Sequence, residues 1–240
     1  MIVNYKEDGW QIISQRAHGL LAGEICFHWK KNTVTNRWFE TIIAAAEHDD
    51  VFNEFEKGEV LINENGGPVN FKMREFEKLK CDRLIRQALS KSRYIALLIS
   101  RHIQFLHADS EDKNAARYCK DLRKSDKVWR KEIQITQSEI EEAYAIIEWC
   151  DAFSLLICQQ LVQPENRKIE ISKGPDRICY QLHAPKENKL SVDPWPFVSD
   201  HFEIRFESRT IPQLKFNSAE EFRNILMETA VETHTFQLIK

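Results

Sequence analysis

Alternating apolar and polar positions open the chain. Ile2 to Tyr5 and Trp10 to Ser14 read as strands, separated by Lys6-Glu7-Asp8-Gly9, whose Asp-Gly pair is a hairpin turn signal. From Gln15 the apolar spacing becomes helical and holds to about Trp29. Asn32 to Asn36 is polar and loop-like. A second helix is predicted over Arg37 to Asp50, with Ile42, Ile43, Ala45 and Ala46 as its apolar surface. Gly58 to Pro68, with Asn65-Gly66-Gly67-Pro68, is a loop, and helical spacing resumes near Arg74 with breaks around Ser90 to Ser92. Arg93 to His107 is predicted as a buried helix, because Ala96, Leu97, Leu98 and Ile99 cover most of its circumference. Ser138-Glu139-Ile140-Glu141 is a capping-box start for a long helix ending near Gln160.

After Pro164 the period shortens to two. Arg167 to Ser172, Arg177 to His183, His201 to Arg209 and Thr233 to Ile239 read as strands. Ser218 to Glu228 reads as a helix with Ser218 as cap and Glu221 completing the box. The pattern gives a mainly α protein with a smaller α+β part. Residues 1–163 hold the hairpin and a helical body, and residues 164–240 a small α+β module packed on it. A lone hairpin is marginal in water, so the N-terminal strands are expected to pair with the C-terminal sheet.

Composition narrows the classes. In a chain of 240 residues, 42% hydrophobic and 30% charged residues support a buried core and exclude wholesale disorder. The longest apolar runs, such as Tyr94 to Ile99 and Phe153 to Cys158, fall far short of the ~20 residues that cross a bilayer. With no signal-peptide pattern, the expectation is a cytoplasmic protein with no membrane partner. A net charge of −3, evenly spread, argues against general nucleic-acid binding. Six scattered cysteines without a CxxC pair read as reduced thiols. No Walker loop, GxSxG elbow or GxGxxG run is present.

Histidines and carboxylates recur on the proposed helices. His18 lies near the start of the first, His48-Asp49 ends the second and is followed by Asp50, and His102 lies deep in the buried helix. Asp151 interrupts the apolar face of the last long helix. Taken singly, each histidine reads as a packed or surface residue. Asp151 either faces solvent or is buried with a partner, since an unpaired buried charge is costly. Taken together, imidazole nitrogens and carboxylate oxygens from several helices are the donors of a hard or borderline divalent cation. Such a cation would stabilise Asp151 and lower the pKa of a bound water towards neutrality. His102 should face inward, whereas His107, roughly 140° further round the helix, should point elsewhere.

Other features stay open between two readings. Lys113 to Lys131 holds eight basic and two acidic side chains, either a solvated helix face or a phosphate-neutralising patch. Arg16 and Arg101 could clamp an anionic substrate or hold a carboxylate beside the metal. Asp193-Pro194-Trp195-Pro196-Phe197 reads as a rigid turn packing the two segments together.

The motifs Gln15-Arg16-Ala17-His18-Gly19-Leu20-Leu21, Ala46-Glu47-His48-Asp49-Asp50, Gly67-Pro68-Val69-Asn70-Phe71 and Leu97-Leu98-Ile99-Ser100-Arg101-His102 resemble the bacterial family called domain of unknown function 3891. Asp151-Ala152-Phe153-Ser154-Leu155 and Pro194-Trp195-Pro196-Phe197 fit it too, so the likeness covers nearly the whole chain. That family carries no established activity. More distantly, the order His18, His48-Asp49, Asp151 resembles the HD superfamily of metal-dependent phosphohydrolases, with His102 where two-metal members carry further histidines. The Lys often found three residues after the Asp of the His-Asp pair is replaced by Phe52, and the Gly-Tyr-Pro extension of cyclic-dinucleotide members is absent.

The resemblance implies an HD-like helical bundle plus a small β-sheet module that includes the N-terminal hairpin. It implies metal-dependent hydrolysis of a small phosphate ester or nucleotide. His18, His48, Asp49, His102 and Asp151 are the expected metal ligands, Asp50 the base, and Arg16 and Arg101 the phosphate contacts. Mixed N/O ligation favours Fe or Mn, with Mg or Zn also admitted. The alternatives are an inactive HD-like binding or regulatory protein and a bundle whose His/Asp cluster is purely structural. Oligomeric state is not legible.

Overall fold

The N-terminal alternation forms an antiparallel hairpin, β1 (Ile2–Lys6) and β2 (Gly9–Ile13), with Ile2 opposite Ile13 and Lys6 opposite Gly9. In the computed structural model, residues 1–30 and 36–240 are described, so the polar loop expected at Asn32 to Asn36 lies outside them except for Asn36. Helix α1 (Gln15–Phe27) starts at Ser14, whose hydroxyl accepts the Ala17 amide at 3.1 Å. Helix α2 (Trp38–Ala46) is shorter than the apolar run suggests. It ends because the His48 imidazole takes the Ala45 carbonyl at 2.7 Å, turning the chain out of the helix. Three further helices follow, α3 (Lys78–Leu89), α4 (Arg93–His107) and α5 (Lys113–Glu132). The long helix α6 (Gln137–Cys158) starts two residues earlier than predicted. Its capping box is Thr136 with Glu139, not Ser138 with Glu141.

The C-terminal strands are β3 (Ile169–Lys173), β4 (Cys179–Lys186), β5 (Lys189–Asp193), β6 (His201–Ile211) and β7 (Glu232–Ile239), with α7 (Ala219–Glu228) before the last. With β1 and β2 they form one seven-stranded sheet in the order β1-β2-β6-β7-β5-β4-β3. It is mixed: β5 and β7 run parallel, and every other pair is antiparallel. The N-terminal hairpin joins it through β2, with Trp10 opposite Ile211 and Ile12 opposite Arg209.

The mainly helical, HD-like bundle expected from the sequence is therefore corrected. Helix makes up 44% and strand 22%, and the sheet curls into a half-barrel that is a full layer of the fold rather than a small module. Two features hide it from the sequence. The short β5 does not stand out as a strand, and the joining of β2 to β6 spans nearly the whole chain, a pairing that local periodicity does not report.

Helices and sheet share one core. β6 alternates cleanly, with Phe202, Ile204, Phe206 and Ser208 buried. Strand β6 packs on α1 and β3 on α6, and Trp29, Trp149, Tyr180 and Phe197 form an aromatic cluster across the interface. The Pro194-Trp195-Pro196-Phe197 segment is tied to the end of α1 by Lys30 N to Pro196 O and Val198 N to His28 O, both 3.0 Å. A smaller core under α7 holds Met1, Ile12, Leu61, Ile211, Phe216, Phe222 and Leu226. Among the described residues, no helix is long and apolar enough to cross a membrane.

Candidate metal centre

Helices α1 and α2 touch backbone to backbone, and two glycines make that possible. A Cβ on Gly19 would stand 2.5 Å from the Ala46 carbonyl oxygen, and one on Gly23 would stand 2.7 Å from the Ala46 Cβ. Only residues without a side chain fit there. The contact places His18, one residue before Gly19, against His48, two residues after Ala46. Helix α6 supplies Asp151 from the third side, and α4 supplies His102.

The ring atoms converge. His18 Nε2 lies 3.2 Å from His48 Nε2 and 3.0 Å from Asp151 Oδ1, and His48 Nε2 lies 3.4 Å from the same oxygen. Donors about 2.1 Å from one cation, at angles near 90–110°, stand roughly 3.0–3.5 Å apart, so this triangle has the size of one face of a coordination polyhedron. Asp49 Oδ2 is 3.8 Å from His48 Nε2, and Asp49 Oδ1 is 4.0 Å from His102 Nε2. Two sets, His18-His48-Asp49 and His48-His102-Asp151, each bring their donor atoms within 4.8 Å of one another.

The other ends of the rings fix the tautomers. His48 Nδ1 meets the Ala45 carbonyl at 2.7 Å, and a carbonyl can only accept, so the proton sits on Nδ1. Ser154 Oγ donates to the Asp151 carbonyl at 2.8 Å and is left to accept from His18 Nδ1 at 2.9 Å. Both Nε2 atoms then present lone pairs to each other and to a carboxylate. Asp151 Oδ1 is sealed from solvent and has no aligned hydrogen bond, although both imidazoles are close. Three acceptors facing one point need a cation, either a proton or a metal.

In the protein alone, His48 takes that proton. Burial works against its charge, but the Asp151 and Asp49 carboxylates outweigh burial and hold its pKa up to about 9. Burial likewise opposes ionisation of Asp151, yet His48 and His18 hold its carboxyl well below the usual range. Burial and the neighbouring His48 push His102 down to about 4, so it stays neutral, with Nδ1 3.2 Å from the Tyr144 hydroxyl.

The cluster forms the floor of a cavity of about 260 Å³. Apolar walls come from Val51, Phe52, Phe71, Leu84, Ile103 and Leu155, and the rim carries Lys72, Arg74, Lys80 and His107 together with Glu75 and Glu77. Glu59 bridges Arg74, at 3.3 Å, and Lys80. Gln15 reaches in from α1, its amide donating to Asp49 Oδ2 at 2.7 Å while its own Oε1 is buried and unpartnered.

Five of the sequence-derived residues, His18, His48, Asp49, His102 and Asp151, are thus brought together. Three lie outside the cavity. Asp50 is held by Arg16, whose Nε is 3.2 Å from its carboxylate and whose guanidinium bonds its carbonyl at 2.7 Å. That pair pins the turn carrying His48 and Asp49. Arg101 instead pairs with Glu141 at 2.7 Å and stacks on Tyr144, in a different cleft. The Lys113 to Lys131 stretch is the helix α5 and contributes nothing to the cavity lining. His107, expected to point elsewhere, reaches the rim, stacked edge-on against Phe76. Sequence reasoning misses Gly19 and Gly23, signalled by their four-residue spacing, and Ser154, one helical turn beyond Asp151.

A family model described as "Protein of unknown function (DUF3891)" matches residues 1–213. The chain belongs to that family. No curated protein and no solved structure matches it. The DUF3891 span contains all five converging side chains and the strand β6, and leaves α7 and β7 outside.

Proposed function

We propose that this DUF3891 protein is a metal-dependent phosphohydrolase acting on a small phosphate ester. The observation that carries the reading is the convergence of His18 Nε2, His48 Nε2 and Asp151 Oδ1 on one point at the floor of a cavity. Those three would hold a divalent cation, Fe or Mn by preference for mixed N/O donors, with Asp49 and His102 completing the set. When bound, such an ion supplies Lewis acidity and a nucleophilic water at neutral pH. The order His18, His48-Asp49, Asp151 supports the distant HD relationship in its ligands, not in its fold.

The protein's own groups then have defined tasks. Asp49, oriented by Gln15, lies inside the cavity as a ligand, whereas Asp50, expected as the base, lies outside it. Lys72, Arg74 and Lys80 replace Arg16 and Arg101 as the cations facing an incoming phosphate. Lys80 Nζ lies 4.7 Å from the Phe52 ring, so α3 brings a cation beside the position where the sequence lacks the Lys. A volume of about 260 Å³ admits a phosphate and part of its ester group; it sits below the ~300 Å³ at which drug-sized pockets begin.

A second reading rests on Phe52 itself, which favours an inactive binding protein with the same metal. Purified protein analysed for metals and assayed with p-nitrophenyl phosphate and Mn²⁺ separates the cases. Metal-dependent phosphate release, lost in Asp151→Asn, supports the hydrolase. Bound metal without turnover supports the binding protein. No metal uptake leaves the His48–Asp151 pair as a structural ion pair.

A further inference from the structure

Helix α4 serves two clefts. His102, Ile103 and Leu106 face the metal cavity, whereas Leu97, Arg101, Gln104 and Ala108, spaced one helical turn apart, line a second cleft against α5 and α6. This cleft has a volume of about 520 Å³, twice that of the metal cavity. Its cations come mostly from α5, where Arg123, Lys127 and Arg130 share one face, with Arg101 opposite.

Its floor is a built polar network. Gln104 is buried and spends its whole amide: Nε2 donates to Ser100 Oγ at 3.1 Å and to Asp126 Oδ2 at 2.7 Å, and Oε1 accepts from Arg123 Nε at 3.1 Å. Asp126 keeps one oxygen, Oδ1, sealed from solvent and without a hydrogen-bond partner. Arg101 is neutralised by Glu141. Lys127 and Arg130, by contrast, form no ion pair among the described residues. The cleft thus offers two cations without an ion-pair partner among the described residues and an apolar wall of Leu97, Phe105 and Ile140.

We propose that this cleft is a mononucleotide-binding site distinct from the metal cavity. Lys127 and Arg130 would take the phosphate through charge-assisted hydrogen bonds, the guanidinium in its bidentate fork. The base would lie on Phe105 and the apolar wall. Asp109 and Glu141 close the edges with negative charge, which disfavours an extended nucleic acid and suits a single phosphate group. The site goes beyond the phosphohydrolase reading and does not depend on it.

The test is calorimetric titration of the full chain with AMP, with adenosine and inorganic phosphate alongside. AMP should bind saturably and more tightly than either half. A Lys127→Ala/Arg130→Ala double variant should weaken AMP about 100-fold, roughly tenfold for each cation removed from the phosphate. Lys113→Ala/Lys120→Ala, on the exposed face of α5, should leave AMP affinity unchanged. No saturable AMP binding up to about 10 mM would overturn the proposal. So would an equal loss in the Lys113/Lys120 variant, which would mark diffuse charge attraction, or loss only in Lys80→Ala, which would place AMP at the metal cavity. Circular dichroism melts confirm that each variant is folded.

Discussion

His18 Nε2 and His48 Nε2 face each other at 3.2 Å, each with its opposite ring nitrogen already committed, one to Ser154 and the other to Ala45. Two imidazole lone pairs at that separation repel unless a cation lies between them and Asp151. A proton and the proposed metal would therefore compete for one place, and most of the testable consequences come from that competition.

Metal binding should release a proton from His48 wherever the pH lies below about 9. Titration of the protein with Mn²⁺ at pH 7.5, in buffers of differing ionisation enthalpy, should show about one proton released per ion. Affinity should rise with pH up to about 9 and then level off. Binding enthalpies identical in all buffers would contradict the assignment of the proton to His48.

The chelator-treated protein should lose stability on the alkaline side. His48 titrates near 9 when folded against 6.5 for the free side chain, so its contribution is complete below pH 6.5 and disappears as pH rises through 9. Asp151 has the opposite sign: its depressed pKa gives a contribution complete above pH ~3.9 that is lost on acidification. Neutral His102, held down to about 4 by burial and His48, adds a loss of stability as pH falls from 6.5 towards 4. Melting temperature should therefore be highest near pH 6.5 and fall from there to pH 9. In His48→Asn the alkaline fall should flatten. An unchanged slope in that variant would remove His48 as its source.

Gly19→Ala should cost stability and metal together. Its new Cβ would meet the Ala46 carbonyl oxygen at 2.5 Å, and backbone cannot swing aside as a side chain can. Forcing α1 and α2 apart should destabilise by about 1–3 kcal/mol and pull His48 away from His18. Gly67→Ala, whose Cβ would meet only the Asn63 side chain at 3.4 Å, should be far milder in both respects. Denaturant unfolding combined with metal analysis distinguishes the two.

Ser154→Ala should act on the metal through His18. The change leaves the His18 Nδ1–H buried without an acceptor, at a cost of about 1–3 kcal/mol. It should also weaken metal affinity roughly 10–100-fold, as the loss of a group that orients a ligating histidine typically does. Ser154→Thr, which keeps the hydroxyl, should restore much of the affinity.

His102→Ala should reduce metal content or turnover far more than His107→Ala. His102 is buried against Tyr144 and His48, whereas His107 sits at the rim on Phe76. A loss of turnover in His107→Ala at full metal content would instead assign the rim histidine to substrate.

Much of this was written locally. The helix Arg93–His107 and the Ser218 cap of α7 follow from apolar spacing and capping chemistry within a few residues. The ordered set His18, His48, Asp49, His102 and Asp151 was visible because imidazole and carboxylate in apolar helices are expensive unless they meet. The extent of the sheet was not visible: whether β2 becomes an edge or joins β6 depends on residues about two hundred positions apart, and chain periodicity carries no information about that pairing. Nor was the division among charged residues. Arg16 and Arg101 look as available as Lys80 in the sequence. Only the close approach of α1 and α2 at Gly19 and Gly23, and the partners Asp50 and Glu141 that hold Arg16 and Arg101 away, decide which cations reach the cavity.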